Sequence, residues 1–211
     1  SDRAFEKLAR YDEEATELKR LIRSTELSKF REELERRVKV LRRLGHVNDE
    51  HVVQLKGRAA CEIDTADELL VTELMFNGCF GRLDHHQLVA LCSCFMPVEK
   101  SKEGHLGDEM AAALAAPMRE LEDTARQVGE EQRACGLAVD VDDFVDSFKP
   151  TLAEVVYAWS KGAHFDDVMK KTDLFEGTVI RAMRRLDELM MELHRAASAV
   201  GDETLAEKFA A

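Results

Sequence analysis

Apolar residues recur at alternating spacings of three and four through the first 44 residues, which contain neither proline nor glycine. The series is Phe5, Leu8, Tyr11, Ala15, Leu18 and Ile22, followed less regularly by Leu27, Phe30, Leu34, Leu41 and Leu44. A stripe this narrow, between charged residues, is typical of a helix that pairs with one other helix. We therefore predict a long coiled-coil-like helical arm whose partner helix lies outside this sequence.

The pattern changes after Gly45, which we expect to end the arm as a C-terminal cap. Residues 52–55 and 59–63 form two short strand-like runs on either side of Lys56-Gly57-Arg58, and this arrangement predicts a tight β-hairpin. A helix that ends in RRLG and precedes such a hairpin is similar to the last helix and wing of a winged-helix module. Residues 38–64 are accordingly predicted to be a small winged-helix remnant.

From Thr65 onward the pattern is helical. Two capping boxes, Thr65 with Glu68 and Asp84 with Gln87, predict helices near 65–77 and 84–95. Further helices are predicted near 108–135, 141–146, after Pro150, near 165–171, near 174–199 and over 202–209. The predicted fold class is therefore all-α, with a helical bundle over 65–211 that follows the winged-helix remnant and the arm.

The predicted helix over 174–199 combines an apolar face with a charged one. The apolar face comprises Val179, Met183, Leu186, Met190, Leu193 and Ala197, and the other side carries Arg181, Arg184, Arg185, Glu188, Glu192 and Arg195. Arginine side chains can stack on a nucleobase or bind a phosphate, and a glutamate can accept a ribose or base donor. The spacing alone favours a solvated surface with ion pairs of about 0.2–0.5 kcal/mol each.

A helix-turn-helix is a second interpretation of the same region. The helix over 165–171, the turn at 173–177 and the next helix would then place Arg181 and Arg184 in a DNA groove. The acidic surroundings and the length of the last helix argue against it.

The charge distribution limits where a nucleic acid could bind. The chain has a net charge of -12, but residues 1–44 carry 13 Lys and Arg against 10 Asp and Glu, a net of +3. The remaining residues carry 17 against 32, a net of -15. An acidic body disfavours nucleic-acid binding over its whole surface, so any contact must be local.

Motifs for catalysis or metal binding are absent from the sequence. It contains no P-loop, no HExxH and no Ser/His/Asp constellation, and the adjacent His85 and His86 would point apart on a helix. The five cysteines lack paired metal-ligand spacing, which favours reduced thiols in an intracellular protein. No apolar run approaches the roughly 20 residues of a membrane span. We predict no catalytic residue, metal or cofactor on this chain itself, and no membrane association.

Several long blocks carry a family resemblance. The segments VLRRLGHVNDEHVVQLKGRAACEIDTADELLVTELMFNGCF, LVALCSCFMPVEK and DSFKPTLAEVVYAWSKGAHFDDVMKKTDLFEGTVIRAMRRLDEL closely resemble the C-terminal DSHCT region of the exosome-associated DExH-box RNA helicases. The resemblance extends from about residue 38 to the end. SFKP and KTDLFEGTVIRAMRRL are most similar to the nuclear member, the TRAMP-complex helicase.

The resemblance implies specific roles. In that family the region is a helical bundle that packs against two RecA-like motor domains, and its long ratchet helix lines the exit path of single-stranded RNA. Carried over by motif, Arg185 would stack on a base or hold the backbone, and Glu188 would contact base or sugar. Arg181 and Arg184 complete the predicted RNA-binding set, with Glu99 of CFMPVEK as a weaker candidate.

The resemblance also implies what lies outside this chain. Residues 1–37 would be the returning helix of the arch stalk, and ATP and Mg²⁺ would bind the motor domains of the parent helicase. Family members continue beyond AEKFAA into a final helix. The implied function is RNA guidance in a nuclear (nucleolar or nucleoplasmic) 3′-to-5′ helicase that delivers RNA to the exosome, with TRAMP-type adaptors as partners. The alternative is a protein-interaction module that docks exosome cofactors without touching RNA.

Overall fold

The computed structural model describes residues 2–98 and 106–211, and these residues form helices and turns without a β-strand. The helices are α1 (Asp2–Arg43), α2 (Leu55–Ala60), α3 (Glu68–Phe76), α4 (His85–Cys92), α5 (Asp108–Ala134), α6 (Val141–Asp146), α7 (Ala153–Ser160), α8 (Phe165–Met169), α9 (Glu176–Ala199) and α10 (Glu203–Ala210). The all-α prediction is confirmed. Across the described ranges, no helix combines the length and apolar character that a bilayer crossing requires.

Helix α1 is a single uninterrupted helix of 42 residues. Its predicted apolar seam is solvent-exposed along most of its length: Phe5 is 76% exposed, Phe30 65% and Leu34 50%. An exposed stripe of this kind is a surface for a partner helix, which remains a prediction.

Only the C-terminal end of α1 packs against the body. Val40 and Leu44 are buried in a small cluster with Cys135, which lies just after α5. Beside this cluster the Arg43 Nε lies 2.6 Å from a carboxylate oxygen of Glu131. The arm is therefore attached at one end.

Gly45 ends the arm as the sequence predicted. It has a φ of +81°, a conformation that costs glycine little. The N–H of His46 donates to the Leu41 carbonyl at 2.8 Å, and the N–H of Gly45 donates to the Arg42 carbonyl at 3.1 Å. These two bonds form a Schellman motif, which satisfies the last carbonyls of the helix.

The predicted β-hairpin is wrong. Lys56-Gly57-Arg58, expected to be its turn, lies inside helix α2. The only β-type pairing among the described residues is one isolated antiparallel bridge between Val47 and Val53. A short apolar run has no distinctive period, and here it forms a helix in which Gly57 packs against the His46 carbonyl and Ala59 is buried in the main core. The winged-helix remnant with a hairpin is therefore not supported.

The two predicted capping boxes have different outcomes. At α4, the Asp84 side chain accepts from the Gln87 N–H while the Gln87 side chain accepts from the Asp84 N–H, so this box is confirmed. Helix α3 instead begins at Glu68, and the Asp67 carboxylate accepts from the Leu70 N–H at 2.9 Å. The hydroxyl of Thr65 has another partner, on α9.

Helix α9 lies at the centre of the bundle. After a turn at Gly201, α10 folds back against it, and the His194 ring bonds the Ala206 carbonyl at 2.8 Å. Helices α2 and α4 also contact α9, while α5 packs with α6 and α4 packs with α7. The packing around α9 determines which of its charged residues remain at the surface.

Candidate nucleic-acid interface

The buried face of α9 matches the predicted apolar face. Val179, Leu186, Met190, Leu193 and Ala197 are buried, and Met183 is half-buried. The helix starts near the predicted position, at Glu176, and ends at Ala199. Since this face is fixed in the core, the opposite side of the helix is directed away from it, and positions there are exposed unless another segment covers them.

Arg181, Arg185 and Glu188 form one exposed edge of α9. At 3.6 residues per turn they lie within about 60° of one another, and Arg181 and Glu188 are about 10 Å apart along the axis. Arg181 Nη2 is 3.4 Å from the Thr178 hydroxyl. Within the part of the chain that the structure describes, Arg185 and Glu188 make no hydrogen bond or ion pair, so both groups are available to a ligand.

Arg184 is also exposed but lies apart from this edge. It is about 100° from Arg185 around the helix. It lines a depression of about 510 Å³ whose other walls include Trp159 and Phe165. These two rings contact each other edge-to-face at 6.0 Å, and Trp159 remains 48% exposed. The predicted arginines therefore face two adjoining surfaces.

Glu192, predicted to continue the exposed charged side, is buried at 5% exposure. Its Oε1 accepts from the Asp64 N–H at 2.7 Å, the Thr65 N–H at 2.8 Å and the Thr65 hydroxyl at 2.8 Å. The segment between α2 and α3 packs over this flank of α9 and covers the carboxylate. The expectation that Glu192 is solvated is wrong.

Arg195, one turn from the helix end, also contacts this segment. Its Nε is 3.5 Å from a carboxylate oxygen of Glu62. Glu192 and Arg195 thus connect the C-terminal half of α9 to the α2–α3 segment. The exposed charged edge ends at Glu188.

The structure does not bring every predicted site residue to this edge. Glu99 lies outside the described residues. His85 and His86 have separate partners, the Lys208 carbonyl at 3.3 Å and the Ser160 hydroxyl at 2.9 Å. In the described ranges, no group of three or more His, Cys, Asp and Glu residues is arranged to hold a metal ion. Sequence reasoning missed the exposed Trp159, since composition cannot tell which side of α7 meets solvent.

Comparison with known proteins identifies relatives along the whole chain. The family model of the DSHCT (NUC185) domain matches residues 50–211. The chain is 51% identical over 211 residues to the DExH-box ATP-dependent RNA helicase DExH10 of Arabidopsis thaliana, covering 99% of this chain and 21% of that protein.

Two exosome-type relatives cover similar regions. The chain is 45% identical over 179 residues to the exosome RNA helicase MTR4 of Homo sapiens, covering 85% of this chain and 17% of that protein. It is 40% identical over 196 residues to the ATP-dependent RNA helicase mtr4 of Schizosaccharomyces pombe, with 93% and 17% covered. The chain thus spans about a fifth of the length of these relatives.

Proposed function

The chain belongs to the DSHCT (NUC185) domain family, as found in exosome-associated DExH-box RNA helicases, and from this premise we propose that it guides RNA for such a helicase. The parent would be an ATP-dependent 3′-to-5′ helicase that unwinds RNA and delivers it to the nuclear exosome. ATP and Mg²⁺ would bind RecA-like motor domains elsewhere in the parent. In this proposal α9 is the ratchet helix, and residues 1–37 are the returning helix of the arch stalk.

The availability of Arg185 and Glu188 supports RNA guidance. Both side chains are exposed and unbonded within the described ranges, whereas Glu192 and Arg195 on the same helix are bonded to the protein. An arginine plane can stack on a base, and the adjacent carboxylate can accept a ribose hydroxyl. The helix core holds both groups on a fixed edge, which suits a single strand that moves past them.

The acidic body explains why the contact would be local. One short edge neutralises few phosphates, so the isolated chain should bind RNA weakly and in a salt-sensitive manner. We propose that the motor domains supply most of the affinity for RNA and that this edge of α9 contacts one or two nucleotides. The exosome is proposed from the name of one relative, the exosome RNA helicase MTR4. The nuclear location and the TRAMP-type adaptors are proposed from the family resemblance of SFKP and KTDLFEGTVIRAMRRL.

Charge reversal in the helicase that carries this chain tests the proposal. We expect Arg185→Glu with Glu188→Arg to slow duplex unwinding by about tenfold, because a base-stacking contact is worth about 1–3 kcal/mol. ATP hydrolysis without RNA should not change. Unwinding at the wild-type rate would contradict RNA guidance by this edge.

Helix α5 offers a matched control. Glu130 and Arg133 are both exposed and have the same three-residue spacing. The variant Glu130→Arg with Arg133→Glu likewise exchanges one negative and one positive side chain, but at a different surface. It should leave unwinding unchanged.

The alternative function is a module that docks exosome cofactors. The exposed apolar seam of α1 and the exposed Trp159 favour some protein contact. The same reversal separates the two functions, because RNA guidance requires impaired unwinding with intact cofactor pull-down. Normal unwinding with intact cofactor pull-down would favour the docking module, in which these two charges are only solvated.

A further inference from the structure

We infer that Glu192 is a positioning residue that fixes the rotation of α9 and thereby the placement of Arg185 and Glu188 toward RNA. This inference rests on the proposed function. It adds a residue that acts on RNA only through others, since its own carboxylate is buried.

The carboxylate of Glu192 is an acceptor built into the fold. One oxygen, Oε1, accepts from the Asp64 N–H, the Thr65 N–H and the Thr65 hydroxyl at 2.7–2.8 Å. The other oxygen, Oε2, lies 3.2 Å from the Thr65 N–H. Hydrogen bonds to a charged acceptor are stronger than neutral ones, and three on one oxygen define its position closely.

The donors belong to a segment with no regular structure of its own. Asp64 and Thr65 lie between the end of α2 and Asp67, the cap of α3, so no helix satisfies their N–H groups. Ile63 beside them is buried in the main core. Asp64 is exposed and Thr65 is half-buried, and the α9 carboxylate accepts from their N–H groups although it lies 127 residues from Thr65 in sequence. These hydrogen bonds therefore join α9 to the α2–α3 segment, two parts of the fold that are far apart in the sequence.

Helix geometry connects this anchor to the exposed edge. Arg185 and Glu192 are seven residues apart, which places them at nearly the same angle on the helix and about 10 Å apart along it. Glu188 lies between them along the axis. An α-helix transmits a rotation along two turns with little loss, so the angle that the α2–α3 segment imposes at Glu192 is also the angle of Arg185.

The other contact between α9 and this segment is weaker. Arg195 and Glu62 are 3.5 Å apart, and both side chains are substantially exposed to solvent. Exposed pairs contribute little to holding a helix. The buried carboxylate with its three donors adds a directional contact to the apolar packing of α9, because hydrogen bonds weaken steeply with angle and apolar contacts do not.

A double-mutant cycle in the helicase that carries this chain tests the inference. We expect Glu192→Leu, which removes every acceptor, to slow duplex unwinding at least fivefold. In the background of Arg185→Ala, the same change should slow unwinding by less than a further twofold. Both mutations remove the same contact of Arg185 with RNA, so the second has little left to remove. If the two fold-changes in unwinding rate multiply in the double mutant, the inference is overturned. That result is expected from a general loss of stability, which would slow unwinding equally with or without Arg185.

A conservative variant gives an independent readout. Glu192→Gln keeps one oxygen in the position that accepts all three short bonds, so it should unwind within about twofold of the wild-type rate. A defect as large as that of Glu192→Leu would overturn the inference. Glu207→Leu, at an exposed glutamate on α10, is the matched control and should have no effect.

The cycle also separates this inference from the proposed function. If Arg185→Ala leaves unwinding unchanged, RNA guidance by this edge fails. If Arg185→Ala is defective but Glu192→Leu is normal, only the positioning role fails. Should Glu192→Leu not fold, Thr65→Val, which removes one of the three donors, replaces it and must show the same dependence on Arg185.

Discussion

The carbonyl oxygen of His46 lies against Gly57, in the space that a Cβ at this position would need. A side chain at position 57 would overlap this oxygen and would come within 2.9 Å of a methyl group of Val53. Gly57 has no positive φ, so the space that it leaves, rather than a turn, explains the glycine. This contact seats α2 on the loop that follows the arm.

We expect Gly57→Ala to destabilise the fold by about 2 kcal/mol, since overpacking forces the backbone apart. Urea denaturation of the chain measures this change. Gly81→Ala is the matched control, because Gly81 also lacks a positive φ and a Cβ there would meet no atom within 4 Å. Equal stability of the two variants would contradict the close contact.

His46 makes the fold sensitive to acid. Its ring is 1% exposed, and its two nitrogens have no hydrogen-bond partner among the described residues. Burial, with a further effect of the charge on Lys56, lowers the pKa of His46 to about 4, from about 6.5 in the unfolded chain. Between about pH 4 and pH 6.5, His46 therefore binds a proton in the unfolded chain but not in the folded chain. Stability is complete above pH 6.5 and falls as the pH drops toward 4.

The expected loss from His46 alone is about 2 kcal/mol between pH 7 and pH 5, at about 1.4 kcal/mol per pH unit below 6.5. Urea denaturation at both pH values measures it. In His46→Gln the side chain does not titrate, so this part of the acid sensitivity should disappear. The same pH dependence in both proteins would show that another group is responsible.

Long helices were predictable because their period repeats many times. Helix α9 shows five turns of a consistent apolar stripe, and the structure buries most of that stripe. Helix α2 has only six residues, too few for a period to separate helix from strand. The close contact of Gly57 with His46, which explains the glycine at this position, could not be predicted from the sequence.

The site was partly predictable for a similar reason. Arg185 and Glu188 lie opposite the apolar stripe and remain exposed, as the pattern predicts. Glu192 lies at nearly the same angle on the helix as Arg185, but the distant Asp64–Thr65 segment covers it, and the pattern of α9 alone cannot show this. The link to RNA came from the family resemblance, since spacing alone favoured a solvated face.

Lys56 connects three parts of the fold. Its Nζ donates to the Leu44 carbonyl at 2.7 Å and forms an ion pair with Glu73 on α3, and both side chains are largely buried. We expect Lys56→Met to cost about 3 kcal/mol in urea denaturation, because Glu73 would remain buried without its partner. Adding Glu73→Gln should recover part of this loss.

Arg58 on the same helix supplies the control for Lys56. It is exposed, so Arg58→Met should change stability by less than about 0.5 kcal/mol. Comparable losses for the two variants would indicate that α2 responds to any loss of charge. The buried ion pair would then be unimportant.

The five thiols should differ sharply in reactivity. Cys61 is exposed, while Cys79, Cys92, Cys94 and Cys135 are buried. Burial raises the pKa of Cys79 and of Cys94 to about 12, so neither forms the reactive thiolate at neutral pH. A thiol reagent at pH 8 should therefore modify one thiol rapidly in the folded chain and all five in urea. In Cys61→Ser the rapid phase should vanish, whereas a remaining rapid phase would mean that the core around α3 and α4 opens to solvent.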